Sequence, residues 1–226
     1  MDRTVVVTGG TRGIGRAAAE RFDEAGDRVV VCSRDGEDVE ETVEQLDDAV
    51  GVRADVRDEY DVERLVETAT RHGPGGIDVV VAGAGVFHGD PGESPLPETS
   101  YSEYDDTLRT NARGVFATLK QALAYMPDDG RAIVPTGRIA REEKAGYGAY
   151  AVSKAAAEAV VRGFAADAEP AFGCVEPGAV ATDLTGGQGR DPADAAEMIY
   201  WAATDLDAAD LDGSVVDLKE YKRATA

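Results

Sequence analysis

Tyr150 and Lys154 stand four residues apart in a helical pattern, so they share one helix face. A phenol, with a pKa of about 10, exchanges a proton with a developing alkoxide near neutral pH only if something favours its phenolate. A neighbouring lysine cation does so. The pair reads as a general acid/base centre, against the plainer reading of a surface Tyr–Lys pair. A second group lies at the other end of the chain, in Thr8-Gly9-Gly10-Thr11-Arg12-Gly13-Ile14-Gly15. Gly9, Gly13 and Gly15 let the backbone turn tightly and approach a pyrophosphate. A helix starting there offers it unpaired N–H groups and a positive dipole end. Between a strand and a helix, this pattern points to dinucleotide binding rather than to a plain turn.

These groups need a scaffold that brings residues 8–15 and 150–154 together. Short β-branched runs predict strands at Arg3–Val7, Arg28–Cys32, Gly51–Ala54, Asp78–Ala82, Arg131–Val134, Phe172–Glu176 and Ser214–Leu218. Several are apolar nearly throughout, as strands covered on both faces should be. Amphipathic stretches predict helices at Ile14–Ala25, Asp38–Leu46, Tyr60–Arg71, Ser102–Tyr125, Tyr147–Ala166 and Pro192–Thr204. The alternation implies an α/β doubly wound Rossmann fold: a seven-stranded, mostly parallel sheet with helices on both faces. With no repeat and no separating linker, residues 1–226 are expected to form a single dinucleotide-binding and catalytic domain. Phe87–Ser100 and Ala179–Asp191 are irregular and follow strands, so both belong to the edge where such sheets bind ligands.

The Gly-x-x-x-Gly-x-Gly spacing resembles the nucleotide-binding signature of the short-chain dehydrogenase/reductase family. Tyr150-Ala-Val-Ser-Lys154 resembles that family's Tyr-x-x-x-Lys, and Asn111 its helix asparagine. Pro177-Gly178 with Thr182 is similar to its Pro-Gly-x-x-x-Thr segment beside the nicotinamide, and Asp55-Val56 to its aspartate near the adenine. The likeness spans about residues 3–218. It implies cofactor contacts from Thr8, Gly9, Arg12, Gly13, Ile14, Gly15, Asp55, Val56, Gly83, Lys154, Pro177, Gly178 and Thr182. It also implies that Lys154 binds the nicotinamide ribose and that Asn111 holds a water linking Lys154 to solvent.

Cofactor choice falls to the end of the second strand, where an acidic residue would select NAD. Here stand Ser33 and Arg34, with Arg12 in the glycine loop. Two arginines suit a 2′-phosphate, so NADP is expected ahead of NAD. The alternative is that Asp35 simply pairs with Arg34. Three departures from the family pattern matter. The catalytic serine, 13 residues before the tyrosine, falls on Gly137; Thr136 carries the nearest hydroxyl and either substitutes for it or leaves the third group missing. Asn-Asn-Ala-Gly after the fourth strand reads Ala82-Gly83-Ala84-Gly85. The segment from Thr182 to Pro192 is short and glycine-rich where the family has a longer lid.

The 226 residues carry 44 acidic against 23 basic side chains, a formal net charge of -21. That excess argues against nucleic-acid and anionic-membrane partners. Only five lysines occur, and the carboxylates are dispersed, as in cytosolic proteins of extreme halophiles. Molar salt, where the Debye length is ~3 Å, would suppress their repulsion. Cys32 and Cys174 sit in apolar runs and read as buried small hydrophobes, and with two histidines and no Cys/His cluster no metal site is expected. No signal peptide and no membrane-length apolar run is evident, so a cytoplasmic protein is expected. The leading reading is an NADP-dependent oxidoreductase interconverting a small-molecule carbonyl and an alcohol. In it Tyr150 is general acid/base, Lys154 tunes it, Asn111 supports the proton relay and Thr136 polarises the carbonyl. The rivals are a catalytically weakened regulatory protein of the same fold and a structural subunit. The resemblance implies a homodimer or homotetramer through the long helices Ser102–Tyr125 and Tyr147–Ala166, which fits any of these.

Overall fold

The structure, a computed structural model, describes residues 3–226. Its elements in chain order are β1 (Thr4–Thr8), α1 (Gly13–Glu24), β2 (Arg28–Ser33), α2 (Gly36–Val43), β3 (Ala49–Arg53), α3 (Glu59–His72), β4 (Val79–Ala82), α4 (Tyr101–Leu108) and α5 (Gly114–Leu123). There follow β5 (Arg131–Pro135), α6 (Gly148–Asp167), β6 (Ala171–Glu176), α7 (Pro192–Thr204), α8 (Ala208–Leu211), β7 (Val215–Asp217) and α9 (Leu218–Ala224). The strands form one sheet in the order β3-β2-β1-β4-β5-β6-β7. Every pairing is parallel, where the sequence suggested mostly so.

Alternation along each strand divides the core into two layers. Val5 and Val7 of β1 face Ala18, Ala19 and Phe22 of α1 and Met198, Ile199 and Ala202 of α7. Val6 faces the opposite layer, with Leu65 and Val66 of α3, Leu119 of α5 and Val161 of α6. All five residues of β1 are buried, which explains its unbroken apolar reading. Each fully enclosed side chain such as Phe22 or Leu65 contributes about 2–3 kcal/mol from burial.

Four differences from the sequence reading have local causes. The helix expected over Ser102–Tyr125 is interrupted by a π-helical turn at Arg109–Arg113, where the Asn111 amide bonds outside its own helix. α2 starts at Gly36 because the Asp35 side chain caps it, accepting from the Glu37 N–H. Asp35 is thus the cap of a helix and not the partner of Arg34. The last strand stops at Asp217, whose carboxylate accepts from the N–H groups of Lys219 and Glu220 and starts α9. The segment 179–191 is tied down by a one-turn 3-10 helix at Asp183–Thr185 and a bridge between Val180 and Arg190.

Candidate active site

The strand order reverses direction of growth between β1 and β4, and a cleft of about 1440 Å³ opens outside the carboxyl ends of the strands. That volume exceeds the ~300–1,000 Å³ typical of small-ligand pockets. Its floor is the loop from β1 to α1. Gly9 adopts φ 68°, and a Cβ there would lie 2.8 Å from the Ala84 Cα. A Cβ at Gly15 would lie 2.2 Å from the Gly9 carbonyl oxygen, so two backbone segments touch where any side chain would part them. The first bond within α1 runs from the Arg16 N–H to the Arg12 carbonyl, 3.2 Å. The N–H groups of the preceding turn therefore have no partner in the helix. Nor does any side chain cap them. Thr11, which sequence reasoning passed over, places a buried hydroxyl without a hydrogen-bond partner in the same loop. Its position inside the glycine signature was the available clue. Open N–H groups, an orphan hydroxyl and a side-chain-free cradle fit a dinucleotide pyrophosphate.

The cleft is bordered by Gly9, Arg12, Gly13, Ile14, Gly15, Ser33, Arg34, Asp55, Val56, Gly83, Thr136, Tyr150, Lys154, Pro177, Gly178 and Thr182. Two expected residues stand behind its wall. Thr8 is buried and its hydroxyl accepts from the Ala84 N–H at 3.3 Å, bracing the glycine loop. Asn111 is buried, with Oδ1 accepting from the Val86 N–H at 2.8 Å. Its Nδ2 donates to the Val86 carbonyl and to the Ser153 hydroxyl, 2.9 Å each. Its side chain thus pins the loop after β4 to α6, and both amide protons are committed.

At the β2 end, Arg12 contacts Asp38 at 3.2 Å, whereas Arg34 is exposed and, among the described residues, makes no ion pair. Asp55 accepts from the Arg57 guanidinium, with its shortest bond 2.6 Å, and that contact holds its carboxyl below the usual range. Arg57 also bonds Asp106, whose other oxygen meets His88 Nε2 at 2.8 Å. Burial alone would push the Asp106 carboxyl up, but the bonds from His88 and Arg57 hold it down.

At the far end, Tyr150, Lys154 and Glu158 form a stripe on α6. Lys154 Nζ donates to the Pro135 carbonyl at 2.9 Å and lies 5.6 Å from the Tyr150 ring centroid. The Tyr150 ring stacks on Phe87 at 4.9 Å. Thr136 borders the cleft, but its hydroxyl donates to Glu158 Oε1 at 2.8 Å. Glu158 and Glu176 are both buried and share Arg141. The cysteines are buried and free, with burial pushing both thiols up to about 12, so neither is a nucleophile near neutral pH.

A parallel sheet with a glycine loop at its switch point and a Tyr–Lys pair across the cleft defines a class, the NAD(P)-dependent oxidoreductases acting on carbonyl and alcohol groups. Within it this chain belongs to the short-chain dehydrogenase family, whose model, described as short chain dehydrogenase, matches residues 3–193. It is 31% identical over 201 residues to an NADPH-dependent aldehyde reductase-like chloroplastic protein of Arabidopsis thaliana, covering 80% of this chain and 74% of that protein. It is 32% identical to carbonyl reductase family member 4 of Danio rerio, covering 85% and 82%. Among solved structures, a short chain dehydrogenase from Burkholderia cenocepacia in complex with NADP superposes with TM-score 0.85 at 25% identity, covering 96% of each chain. Levodione reductase, at 22% identity, shares the fold with TM-score 0.87 over 100% of this chain and 99% of that one.

Proposed function

We propose that this protein interconverts a small-molecule carbonyl compound and its alcohol with NADP, with Tyr150 as general acid in reduction and general base in oxidation. The observation that carries the reading is the Lys154 ammonium, fixed by the Pro135 carbonyl beside the Tyr150 ring, in the cleft floored by the glycine loop. Bound there, the nicotinamide would supply or accept the hydride. Lys154 keeps a positive charge beside the ring. Asn111 acts by holding α6 against the loop after β4. Phe87 shields one face of the phenol from water. The NADP-complexed structure and the NADPH-dependent relative support the cofactor choice. So does Arg34, which follows β2 and, among the described residues, makes no ion pair, leaving it a ready partner for a 2′-phosphate.

Titration of NADPH against NADH tests this. We expect NADPH to bind at least tenfold tighter, and Arg34→Gln to remove about tenfold of NADPH affinity while leaving NADH within twofold. Equal affinities in the parent protein overturn the NADP assignment. A second reading, a regulatory dinucleotide-binding protein, is favoured by one observation: Gly137 occupies the serine register and the Thr136 hydroxyl is given to Glu158. Tight NADPH binding with no turnover over a broad carbonyl panel would select it.

The same reading has residues 1–226 working as one catalytic domain in a salt-rich cytoplasm. The exposed Phe116, whose ring lies 6.0 Å from that of Phe164, supports assembly as a homodimer or homotetramer through α5 and α6. With a net charge of -21, the melting temperature is expected to rise by about 10 °C between 0.1 and 2 M KCl, read by scanning calorimetry. A flat profile contradicts salt adaptation.

A further inference from the structure

The basic groups bordering the substrate end of the cleft are Arg138, His88, Lys154 and Lys144. Three are committed. Arg138 lies 3.4 Å from Glu142 and 3.5 Å from Glu176. His88 meets Asp106, and Lys154 donates to the Pro135 carbonyl. Lys144 is exposed and, among the described residues, has no carboxylate within ion-pair distance. Its ammonium instead rests 4.7 Å from the centroid of the Tyr147 ring. Among the described residues none of the five lysines makes an ion pair, and Lys144 is the exposed one on the cleft wall, next in sequence to Glu142 and Glu143. The same situation holds for Arg34 at the other end, where an anion is expected.

Lys144 is also in line with the reaction centre. From its ammonium the groups run to Tyr147 in 4.7 Å, to Phe87 in 6.2 Å and to Tyr150 in 4.9 Å. Three aromatic rings therefore join the Lys144 ammonium to the proposed proton donor, forming an apolar wall with a charge at its outer end. The wall is rigid. The loop carrying Phe87 is bonded to the segment before Tyr150, the Gly92 and Ser94 N–H groups both donating to the Gly146 carbonyl at 3.0 and 3.1 Å. Phe87, Tyr147 and Tyr150 all border the cleft, so an extended apolar substrate body would run past the stack, its carbonyl at Tyr150 and an anionic group at Lys144.

We propose that Lys144 is a specificity-determining residue that selects carbonyl substrates bearing a carboxylate at the far end of an extended apolar body. This rests on the reading of Tyr150 as the proton donor. The test compares 10-oxodecanoate with its methyl ester at constant ionic strength, in the NADP-loaded protein, by kcat/KM for reduction and by calorimetric Kd. The parent protein is expected to favour the acid by about tenfold, an increment of about 1.4 kcal/mol. Lys144→Met should raise KM and Kd for the acid about tenfold, leave kcat and the ester within twofold, and Lys144→Arg should restore the acid. An acid-to-ester ratio unchanged by Lys144→Met, or no preference in the parent protein, overturns the proposal. If neither compound is reduced but acid binding still weakens in Lys144→Met, the anchor stands and the reductase reading falls.

Discussion

Replacing Tyr150 by Phe is expected to lower kcat/KM for carbonyl reduction by about a thousandfold while the NADPH Kd stays within about twofold. The substitution removes one hydroxyl and nothing else. The ring keeps its stack on Phe87, and Lys154 keeps its bond to the Pro135 carbonyl, so the helix face and the cleft wall survive. On the proposed mechanism what is lost is the proton for the developing alkoxide, and no other side chain on that helix face is placed to replace it. Lys154 is already bonded to a carbonyl, and the Thr136 proton goes to Glu158. Single-turnover absorbance of NADPH with a saturating aldehyde reads the effect directly. Full activity in Tyr150→Phe removes the acid/base assignment altogether.

Arg141→Met is expected to destabilise the protein by about 3–5 kcal/mol and to lower its melting temperature by about 10 °C. Glu158 and Glu176 have side chains only 3% and 8% exposed, and Arg141 lies against both. Removing the cation leaves two carboxylates close together with little water to solvate them. Arg138, 70% exposed and 3.5 Å from Glu176, offsets little of the loss. Calorimetry on the single variant and on Arg141→Met with Glu158→Gln and Glu176→Gln separates charge from packing. Neutralising both carboxylates should recover most of the stability. Equal melting temperatures for the single and triple variants would show that Arg141 acts through contacts alone.

The fold was legible because its signals are local and redundant. β1 is apolar on both faces, Gly9 to Gly15 sit where a strand meets a helix, and Asp191-Pro192 marks the start of α7. The Tyr150–Lys154 face was legible from spacing alone. What escaped depends on contacts between residues distant in sequence. Asn111 lies in the π-helical turn and its side-chain amide bonds the backbone of Val86, 25 residues away, which no local pattern reveals. Thr136 looked available as a hydroxyl donor because nothing near it in sequence reveals Glu158, 22 residues on, as the acceptor. The ring stack joining Phe87, Tyr147 and Tyr150 draws on a loop with no periodicity to read. α9 was missed for a different reason: its capping box, Asp217 with Glu220, was present in the sequence but hidden behind the expectation of a longer last strand.

Arg57 gives the cleft a property that none of its walls has separately. One guanidinium holds Asp55 at the β3 end and Asp106 on α4, and Asp106 in turn holds His88 near the aromatic wall. The two ends of the cleft therefore draw on the same positive charge. A ligand group that competes for Asp55 alters the share of Arg57 left for Asp106, and with it the hold on His88. The two ends of the cleft thus share one divided charge, and a substitution at position 57 is expected to be felt at both.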